Sequence, residues 1–240
     1  MISKEQIKYI RSLHRKKFRD SNQQFIIEGP KMIAEAIQYA PESLIQIFGT
    51  EALTAQLPEH VIFEEINAKE LKQISTLKHP QKYLAICNYL PPAKSRPEFY
   101  IALDTLQDPG NLGTILRLAA WFDVQHIIAS KETVDVYNPK VVQASMGAIF
   151  NVNIEYCALK EVLSTTDLPI YGALLEGENI YQKDINKKGI LVVGNEGKGS
   201  NEEIIPFITH PISIPKFGKG ESLNVAMATS VFLSEFSRPR

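Results

Sequence analysis

The second half of the chain alternates short apolar runs with segments of helical periodicity, and this pattern strongly restricts the possible folds. The apolar runs have the length and composition of buried strands and lie at 99–103, 126–129, 152–156, 170–174, 190–193 and 211–214. Strands separated by helices pair in parallel, with helices covering both faces of the sheet. We therefore predict an α/β fold with a mostly parallel sheet, and expect ligand sites at the carboxyl ends of its strands.

A proline-rich segment divides the chain. Residues 91–97 contain three prolines, which exclude both a helix interior and a central strand. The preceding part alternates apolar runs with helical segments, as in a small α/β unit: the runs lie at 44–48, 61–63 and 83–89 and the helical segments at 50–56 and 67–75. We predict an N-terminal domain over residues 1–90, a linker over 91–97 and a second domain over 98–240.

The charge is distributed unevenly along the chain. The 240 residues carry 26 basic and 27 acidic side chains, a net charge of −1 that gives no reason to expect a nucleic-acid partner. Residues 1–20, however, hold seven basic residues and two acidic ones, a net charge of +5. Ser3 and Gln6 have the spacing of a capping box, and apolar residues follow at helical spacing, so residues 4–18 are predicted to form a basic amphipathic helix. Such a helix is either a phosphate-binding surface or a solvated face.

The composition excludes several classes of protein. Hydrophobic residues make up 44% of the chain and charged residues 22%, which excludes a disordered chain, a collagen-like repeat and a disulfide-stapled miniprotein. Cys87 and Cys157 lie in apolar runs without metal-ligand neighbours, which favours buried thiols in a reducing compartment and predicts no metal site. No apolar stretch has the length of a signal peptide core or approaches the roughly 18 residues of a membrane span, so we expect a cytoplasmic protein with no membrane partner.

Three segments that enter helices carry the candidate functional residues. In the first, residues 104–122, Asn111 is predicted to cap a helix. The core stripe of this helix comprises Leu112, Ile115, Leu116, Ala119 and Ala120. Arg117 and Trp121 fall on the side that the stripe does not occupy. An isolated arginine there is usually a surface salt bridge, whereas a tryptophan opposite the core indicates a second packing surface.

The second segment, residues 190–200, is a buried strand that runs into a glycine-rich turn. A glycine separates the lysine and the serine of this turn, so it is not a Walker phosphate loop, and its glycine spacing also differs from the dinucleotide fingerprint. Its glycines still permit close approach of the backbone to a ligand. By themselves, Asn195 and Glu196 are typical of a turn and of a solvated carboxylate.

The third segment, residues 212–236, leads into a further helix. Ser222 is predicted to cap this helix, whose residues are apolar nearly all round, so the helix is expected to be buried. By themselves, Ser222 and Asn224 are a cap and a first-turn polar residue. A second role at a functional site is compatible with both.

Three motifs in these segments resemble those of the SpoU/TrmH family of RNA ribose 2′-O-methyltransferases, within the SPOUT superfamily. They are N-x-G-x-x-x-R at 111–117, G-N-E-G-x-G at 194–199 and I-P-x-x-G-x-x-E-S-L-N-V-x-x-A at 214–228. The order and spacing of the three motifs over residues 98–240 make their combination specific for this family. In addition, FIIEGPKMIAEAI at 25–37 is similar to the ribosomal-protein-like substrate-binding domain that many members carry.

The resemblance implies methyl transfer from S-adenosylmethionine to a ribose 2′-hydroxyl of folded RNA. It also implies a C-terminal deep trefoil knot and a homodimer with the active site near the subunit interface. Matched by motif position, the implied catalytic residues are Asn111, Arg117, Glu196, Ser222 and Asn224. The implied cofactor-binding residues are Gly194, Asn195, Gly197, Ile214, Pro215 and Leu223. Lys216 and Phe217 depart from the family pattern, where many members have methionine, which changes the pocket lining and the nearby charge.

Arg117 is the residue on which we expect the chemistry to depend. A guanidinium with a pKa above about 12 rarely releases its proton, so we interpret Arg117 as a group that holds the target phosphate and hydroxyl and favours the alkoxide. Asn111 is expected to order the loop before Arg117. Glu196 and Asn224 are expected to orient neighbouring groups. Ser222 is expected to position the substrate while it caps its helix.

Ribosomal RNA is the expected substrate, because a separate N-terminal domain offers a surface for a structured target. Transfer RNA is an alternative substrate, and a catalytically inactive RNA-binding paralogue is an alternative function. A nucleotide-dependent oxidoreductase is disfavoured, because no early strand is followed by the dinucleotide fingerprint. RNA affinity is expected to concentrate in residues 1–20 and around Lys198, Lys216 and Lys219.

Overall fold

The structure is a computed structural model, and it describes residues 2–92, 97–183, 185, 187–195, 197 and 199–239. The α-helices, in chain order, are α1 (Lys4–Ser12), α2 (Lys16–Asn22), α3 (Pro30–Tyr39), α4 (Ala68–Ile74), α5 (Pro109–Trp121), α6 (Pro139–Ser145), α7 (Leu159–Thr165) and α8 (Val225–Phe236). The strands are β1 (Gln24–Glu28), β2 (Leu44–Gly49), β3 (Ile62–Glu65), β4 (Tyr83–Asn88), β5 (Phe99–Leu103), β6 (His126–Ser130), β7 (Asn153–Cys157), β8 (Ile170–Asn179), β9 (Gly189–Val193) and β10 (His210–Ser213).

The chain divides into two compact units. Unit 1 comprises Met1–Pro91 and Asp135–Asn151, and unit 2 comprises Pro92–Val134 and Val152–Arg240. This division differs from the predicted domains, because residues 135–151 lie inside the predicted second domain and yet pack in unit 1.

Unit 1 is built on a four-stranded mixed sheet in the order β1-β4-β2-β3. The strand β4 is antiparallel to both β1 and β2, and β2 is parallel to β3. Helices α1 and α4 contribute to one core beside this sheet, in which Ile10, Leu13 and Ile74 are fully buried. Both helices begin with a complete capping box, and the one predicted at Ser3 and Gln6 is confirmed.

The predicted helix over residues 4–18 is wrong, because the structure has two helices there. α1 ends at Ser12, and α2 begins after Arg15, whose backbone is extended. The Arg19 guanidinium donates to the carbonyl oxygen of Leu13, six positions earlier, at 3.0 Å. The bend lets both Leu13 and Arg19 be buried.

The predicted helix over residues 50–56 is also absent, since the structure has irregular backbone there. The Thr50 N–H donates to the carbonyl oxygen of Lys82 at 2.9 Å, and the Lys82 ammonium lies 2.7 Å from the Glu51 carboxylate. These contacts hold the segment beside the start of β4. Tertiary bonding therefore outweighs the weak helical periodicity.

The segment Asp135–Asn151 belongs to unit 1 through specific contacts. Asp135 forms an ion pair with buried Arg19, and α6 packs against β1. The rings of Tyr89 and Tyr137 stack with their centroids 3.8 Å apart, and the Leu90 N–H donates to the Tyr137 hydroxyl at 2.9 Å. Burial raises the pKa of Tyr137 to about 12.

Unit 2 contains a six-stranded sheet in the order β10-β8-β9-β5-β6-β7, and all its strand pairs are parallel. The predicted parallel α/β fold is therefore confirmed. From β5 the chain first adds β6 and β7 on one side and then β8 to β10 on the other. The carboxyl ends of β5 and β9 thus lie at the point where the winding direction changes, which is where open parallel sheets bind ligands.

Both cysteines are free thiols. Cys87 is buried as predicted, whereas Cys157 is only half-buried, and burial raises the pKa of both thiols. In the described part of the chain, no helix has the length and apolar character needed to cross a bilayer. The described residues also contain no group of three or more histidine, cysteine, aspartate or glutamate side chains suited to a metal ion.

Candidate functional site

The candidate site is built from loops at the carboxyl edge of the unit 2 sheet. The strand β5 runs into residues 104–108 and then α5, and β9 runs into residues 194–200, which we name the glycine turn. The strand β10 is followed by residues 214–224, which precede α8. Because all strands of this sheet are parallel, the three segments start from the same edge.

The residue that caps α5 lies three positions before the predicted cap. Asp108 is the capping residue, and its carboxylate accepts the Asn111 N–H at 2.8 Å. Pro109 takes the first helical position, where its missing N–H costs nothing. Asn111 therefore lies in the first turn, and its predicted capping role is wrong.

The core stripe of α5 is confirmed at four of its five positions. Leu112, Ile115, Leu116 and Ala119 are buried, whereas Ala120 is exposed, contrary to expectation. Arg117 and Trp121 are both exposed, as predicted, and Trp121 retains 84% of its surface. Among the described residues no carboxylate pairs with Arg117, so the salt-bridge interpretation of this arginine is not supported.

The helix α8 is capped by Asn224 and not by Ser222. The Asn224 Oδ1 accepts the N–H groups of Ala226 at 3.0 Å and Met227 at 3.3 Å, because this residue lies directly before the helix. Ser222 is exposed two residues earlier. The expectation that this helix is buried all round is also wrong, since Met227 is 62% exposed.

The asparagines of the first and third motifs bond to each other. The Asn224 Nδ2 donates to the Asn111 Oδ1 at 3.0 Å, across 113 residues of chain. Asn224 thus uses its oxygen to cap α8 and its nitrogen to bind the first turn of α5. The contact joins the N-terminal ends of two helices that also pack against each other.

The glycine turn is closed by its own backbone. Asn195 and Gly199 exchange two backbone hydrogen bonds, of 2.9 and 3.0 Å, and the Gly197 N–H donates to the Asn195 Oδ1 at 3.0 Å. A Cβ atom on Gly194 would lie 2.3 Å from the backbone nitrogen of Ser200, so only glycine fits there. Of the predicted residues in this turn, Glu196 and Lys198 lie outside the described residues.

The loop after β10 exposes most of its side chains. Ile214 and Pro215 are half-buried, whereas Lys216, Lys219 and Leu223 are exposed. Phe217, the departure from the family pattern, has 94% of its surface exposed.

Sequence reasoning missed the aspartates of the first loop. Asp104 follows β5 directly and is 3% exposed, and Asp108 caps α5. The signal for Asp108 was present, because an aspartate before a proline is typical of a helix start. The role of Asp104 depends on bonds to residues almost a hundred positions away, which no local pattern reveals.

Comparisons with known proteins place these loops in a family. The family model described as SpoU rRNA Methylase matches residues 98–234, and the model of the MRM3-like substrate binding domain matches residues 4–85. The Bacillus subtilis 23S rRNA (guanosine(2553)-2′-O)-methyltransferase RlmP is 25% identical over 235 residues, which cover 95% of this chain and 94% of that protein.

Solved structures agree over nearly the whole length. A TrmH-family protein from Porphyromonas gingivalis superposes with a TM-score of 0.90 at 36% identity and covers 98% of both chains. An AdoMet-bound rRNA methyltransferase from Sinorhizobium meliloti superposes with a TM-score of 0.84 at 27% identity, over 98% of this chain and 95% of that one. The glycine turn and the paired asparagines occupy the part of the chain that the first family model matches, and the chain belongs to the SpoU rRNA methylase family.

Proposed function

We propose that this protein is an S-adenosylmethionine-dependent RNA methyltransferase that modifies a ribose 2′-hydroxyl in ribosomal RNA. The Asn111–Asn224 hydrogen bond carries the proposal, because it joins the two motifs of α5 and α8 at one sheet edge and leaves Arg117 exposed nearby along α5. The name of the Bacillus subtilis relative describes 2′-O-methylation of 23S rRNA, and the Sinorhizobium meliloti structure contains AdoMet. Transfer RNA is the second candidate substrate.

The glycine turn fits the cofactor. Close packing of Gly194 on Ser200 keeps the backbone compact, and the exposed Gly197 leaves backbone open to a ligand. The Ser200 hydroxyl is buried and has no hydrogen-bond partner among the described residues, so a polar ligand atom would satisfy it. The residues proposed to hold the cofactor are Gly194, Asn195, Gly197, Ile214, Pro215 and Leu223. When bound, S-adenosylmethionine supplies an electrophilic methyl group on a sulfonium.

Arg117 is proposed to stabilise the negative charge that develops on the ribose hydroxyl. Its exposed guanidinium, with no carboxylate partner among the described residues, is available for a phosphate or an alkoxide. Asn224 and Asn111 hold the start of α5, and exposed Ser222 is available to the substrate. The orienting role of Glu196 rests on the motif alone.

We further propose a homodimer and a C-terminal trefoil knot, both of which the family resemblance implies. Unit 2 exposes large apolar side chains that a partner subunit would cover: Trp121, Leu175, Phe217, Leu223 and Met227 are each at least 56% exposed. Trp121→Asp is expected to shift the protein from dimer to monomer in sedimentation velocity, because a carboxylate is costly in an apolar interface. A Trp121→Asp dimer would contradict the placement of α5 at the interface.

We propose that the N-terminal region binds RNA. We also propose that residues 1–90 form its domain in the sequence and that the linker 91–97 joins it to the second domain, 98–240. The match of residues 4–85 to a substrate binding domain and the positive charge of residues 1–20 support this role. A cytoplasmic location is consistent with two free thiols.

Mapping of ribose 2′-O-methylation in ribosomal and transfer RNA, with and without this protein, tests the function. One ribosomal ribose is expected to lose its methyl group when the protein is absent and to regain it when the purified protein and S-adenosylmethionine are added. A change confined to transfer RNA would select the second substrate. RNA binding without S-adenosylmethionine binding would identify an inactive paralogue and overturn the proposal.

A further inference from the structure

We propose that Asp104 is a positioning residue that holds the glycine turn in its cofactor-binding form. The proposal rests on the proposed function only for the identity of the ligand. Asp104 lies outside the three motifs, is 3% exposed, and forms no ion pair among the described residues.

Asp104 bonds to the residues on either side of the glycine turn. Its backbone N–H donates to the carbonyl oxygen of Val193 at 2.9 Å, immediately before the turn. Its carboxylate Oδ2 accepts the N–H of Asn201 at 2.6 Å, immediately after the turn. One residue at the end of β5 therefore holds both ends of the turn, and the two bonds fix the separation of those ends.

Thr105 adds a third attachment, inside the turn. Its carbonyl oxygen accepts the Asn195 Nδ2 at 2.8 Å, and its own N–H donates to the Ser130 hydroxyl at 3.0 Å. Thr105 has a φ of +56°, a left-handed conformation that is uncommon for a β-branched residue. The Thr105 hydroxyl donates to the Asp104 Oδ1 at 3.2 Å, which links this conformation to the same carboxylate.

The chemistry of the group supports a positioning role. A buried carboxylate is costly unless hydrogen bonds compensate for its lost hydration, and bonds to an ionised acceptor are stronger than bonds between neutral groups. The Asp104 carboxylate makes this interaction with the backbone amide that directly follows the glycine turn. Three of the seven residues of that turn are glycine, a residue that loses much conformational freedom on ordering. A turn that is ordered before binding loses less entropy when the ligand arrives.

Three variants distinguish a role of Asp104 in positioning the turn from a role of its negative charge. Asp104→Asn keeps an oxygen at the position that accepts the Asn201 N–H, whereas Asp104→Leu removes the acceptor and Asp104→Ser leaves only a hydroxyl on Cβ, one bond too short to take the place of Oδ2. We expect S-adenosylmethionine affinity, measured by calorimetry, to fall about tenfold or more in the Leu and Ser variants and to stay within about threefold in the Asn variant. At saturating cofactor the rate is expected to stay near the wild-type value, so that KM rises while kcat changes little.

Glu70→Leu is the matched control. This carboxylate of unit 1 is also buried and accepts backbone N–H groups, from Ile2 at 3.2 Å and Asn67 at 2.9 Å. Its loss is expected to lower thermal stability without changing cofactor affinity. Equal cofactor affinity in folded Asp104→Ser and wild type would overturn the proposal, and so would an equal loss in Asp104→Asn and Asp104→Ser.

Hydrogen exchange without ligand tests the turn independently of methyl transfer. The Asn201 amide is expected to exchange at least about tenfold faster in Asp104→Ser than in wild type and to stay protected in Asp104→Asn. Unchanged exchange in Asp104→Ser would overturn the proposal even if that variant binds the cofactor weakly. Failure of the wild-type protein to bind S-adenosylmethionine would instead refute the proposed function.

Discussion

In unit 1 the buried charged side chains bond within the unit, whereas in unit 2 several polar side chains of the sheet edge stay exposed. Arg19 pairs with Asp135, and the Glu28 carboxylate accepts the N–H of Thr76 at 2.9 Å and its hydroxyl at 2.5 Å. Arg117 and Ser222, by contrast, are exposed. Polar groups that stabilise a fold are buried and satisfied, while groups available to a ligand stay accessible.

The two units also differ in how far their large apolar side chains are exposed. Trp121 and Phe217 of unit 2 are 84% and 94% exposed, whereas Ile62, the most exposed large apolar side chain among the described residues of unit 1, reaches 62%. The difference indicates that unit 1 covers its own core more completely. Unit 2 retains surface that a ligand or a second subunit can cover.

Breaking the buried ion pair of unit 1 is expected to have the largest effect on stability. Asp135→Ala leaves the 2% exposed Arg19 without its carboxylate and is expected to lower the free energy of unfolding by about 3–5 kcal/mol, measured by urea denaturation. The double variant Arg19→Met/Asp135→Leu is expected to recover most of the loss, because no charge is left unpaired. A loss below about 1 kcal/mol in Asp135→Ala would show that the pair contributes little.

Arg117→Lys tests the corresponding cation of unit 2. We expect the methyl-transfer rate to fall about 10²-fold, since a lysine keeps the charge but cannot form the two-pronged contact of a guanidinium. The melting temperature is expected to stay unchanged because Arg117 is exposed. Arg238→Lys, on an exposed arginine that follows α8, is the control and is expected to retain the rate. A wild-type rate in Arg117→Lys would exclude a two-pronged role.

The structure changes how RNA binding by the N-terminal helices is best tested. Deletion of residues 1–20 would remove Ile10 and Leu13 from the core and would also remove Arg19 from its ion pair. Arg19 is therefore not available to RNA, and exposed lysines must be neutralised instead.

Substitution of Lys4, Lys8 and Lys17 by glutamine is expected to weaken RNA binding moderately. A plot of log affinity against log salt concentration has a negative slope, and each phosphate contact that is lost makes this slope shallower by about 0.7–0.9. Filter binding across a salt series measures this slope. The same change at three exposed lysines of unit 2 (Lys131, Lys160 and Lys188) serves as the control, and an equal effect there would show that RNA binding is not concentrated in the N-terminal region.

The smallest expected effect is a pH dependence of unit 1. Burial lowers the pKa of His14, although its bond to the Ile74 carbonyl oxygen and the nearby Glu28 carboxylate oppose the shift, while Arg11 and Arg19 add to it. The unfolded chain therefore binds a proton at higher pH than the folded protein, so stability falls as the pH drops below about 6.5. His14→Gln is expected to reduce this fall in urea unfolding between pH 7 and 5. An unchanged pH profile in His14→Gln would contradict this role of His14.

The local elements of the fold could be predicted because their signals lie within a few residues. Apolar runs of four or five residues located all six strands of unit 2, and a capping box located the start of α1. The helix caps of the site were less accessible to prediction. Asp108 and Asn224 cap α5 and α8 in place of Asn111 and Ser222, because several neighbouring polar side chains suit the same N–H groups and the folded loop selects among them.

The sequence by itself determined the parallel α/β class and the motifs of the family, since periodicity and motif spacing are local properties. Only the tertiary structure decided that residues 135–151 pack in unit 1, that Asn224 bonds to Asn111 and that Asp104 spans the ends of the glycine turn. These contacts join residues roughly a hundred positions apart. The Asp104 contacts form because β5 and β9 are neighbours in one sheet, whereas the other two arise from the packing of α5 on α8 and of α6 on β1. Hydrogen-bond geometry then selects which of the adjacent side chains pair.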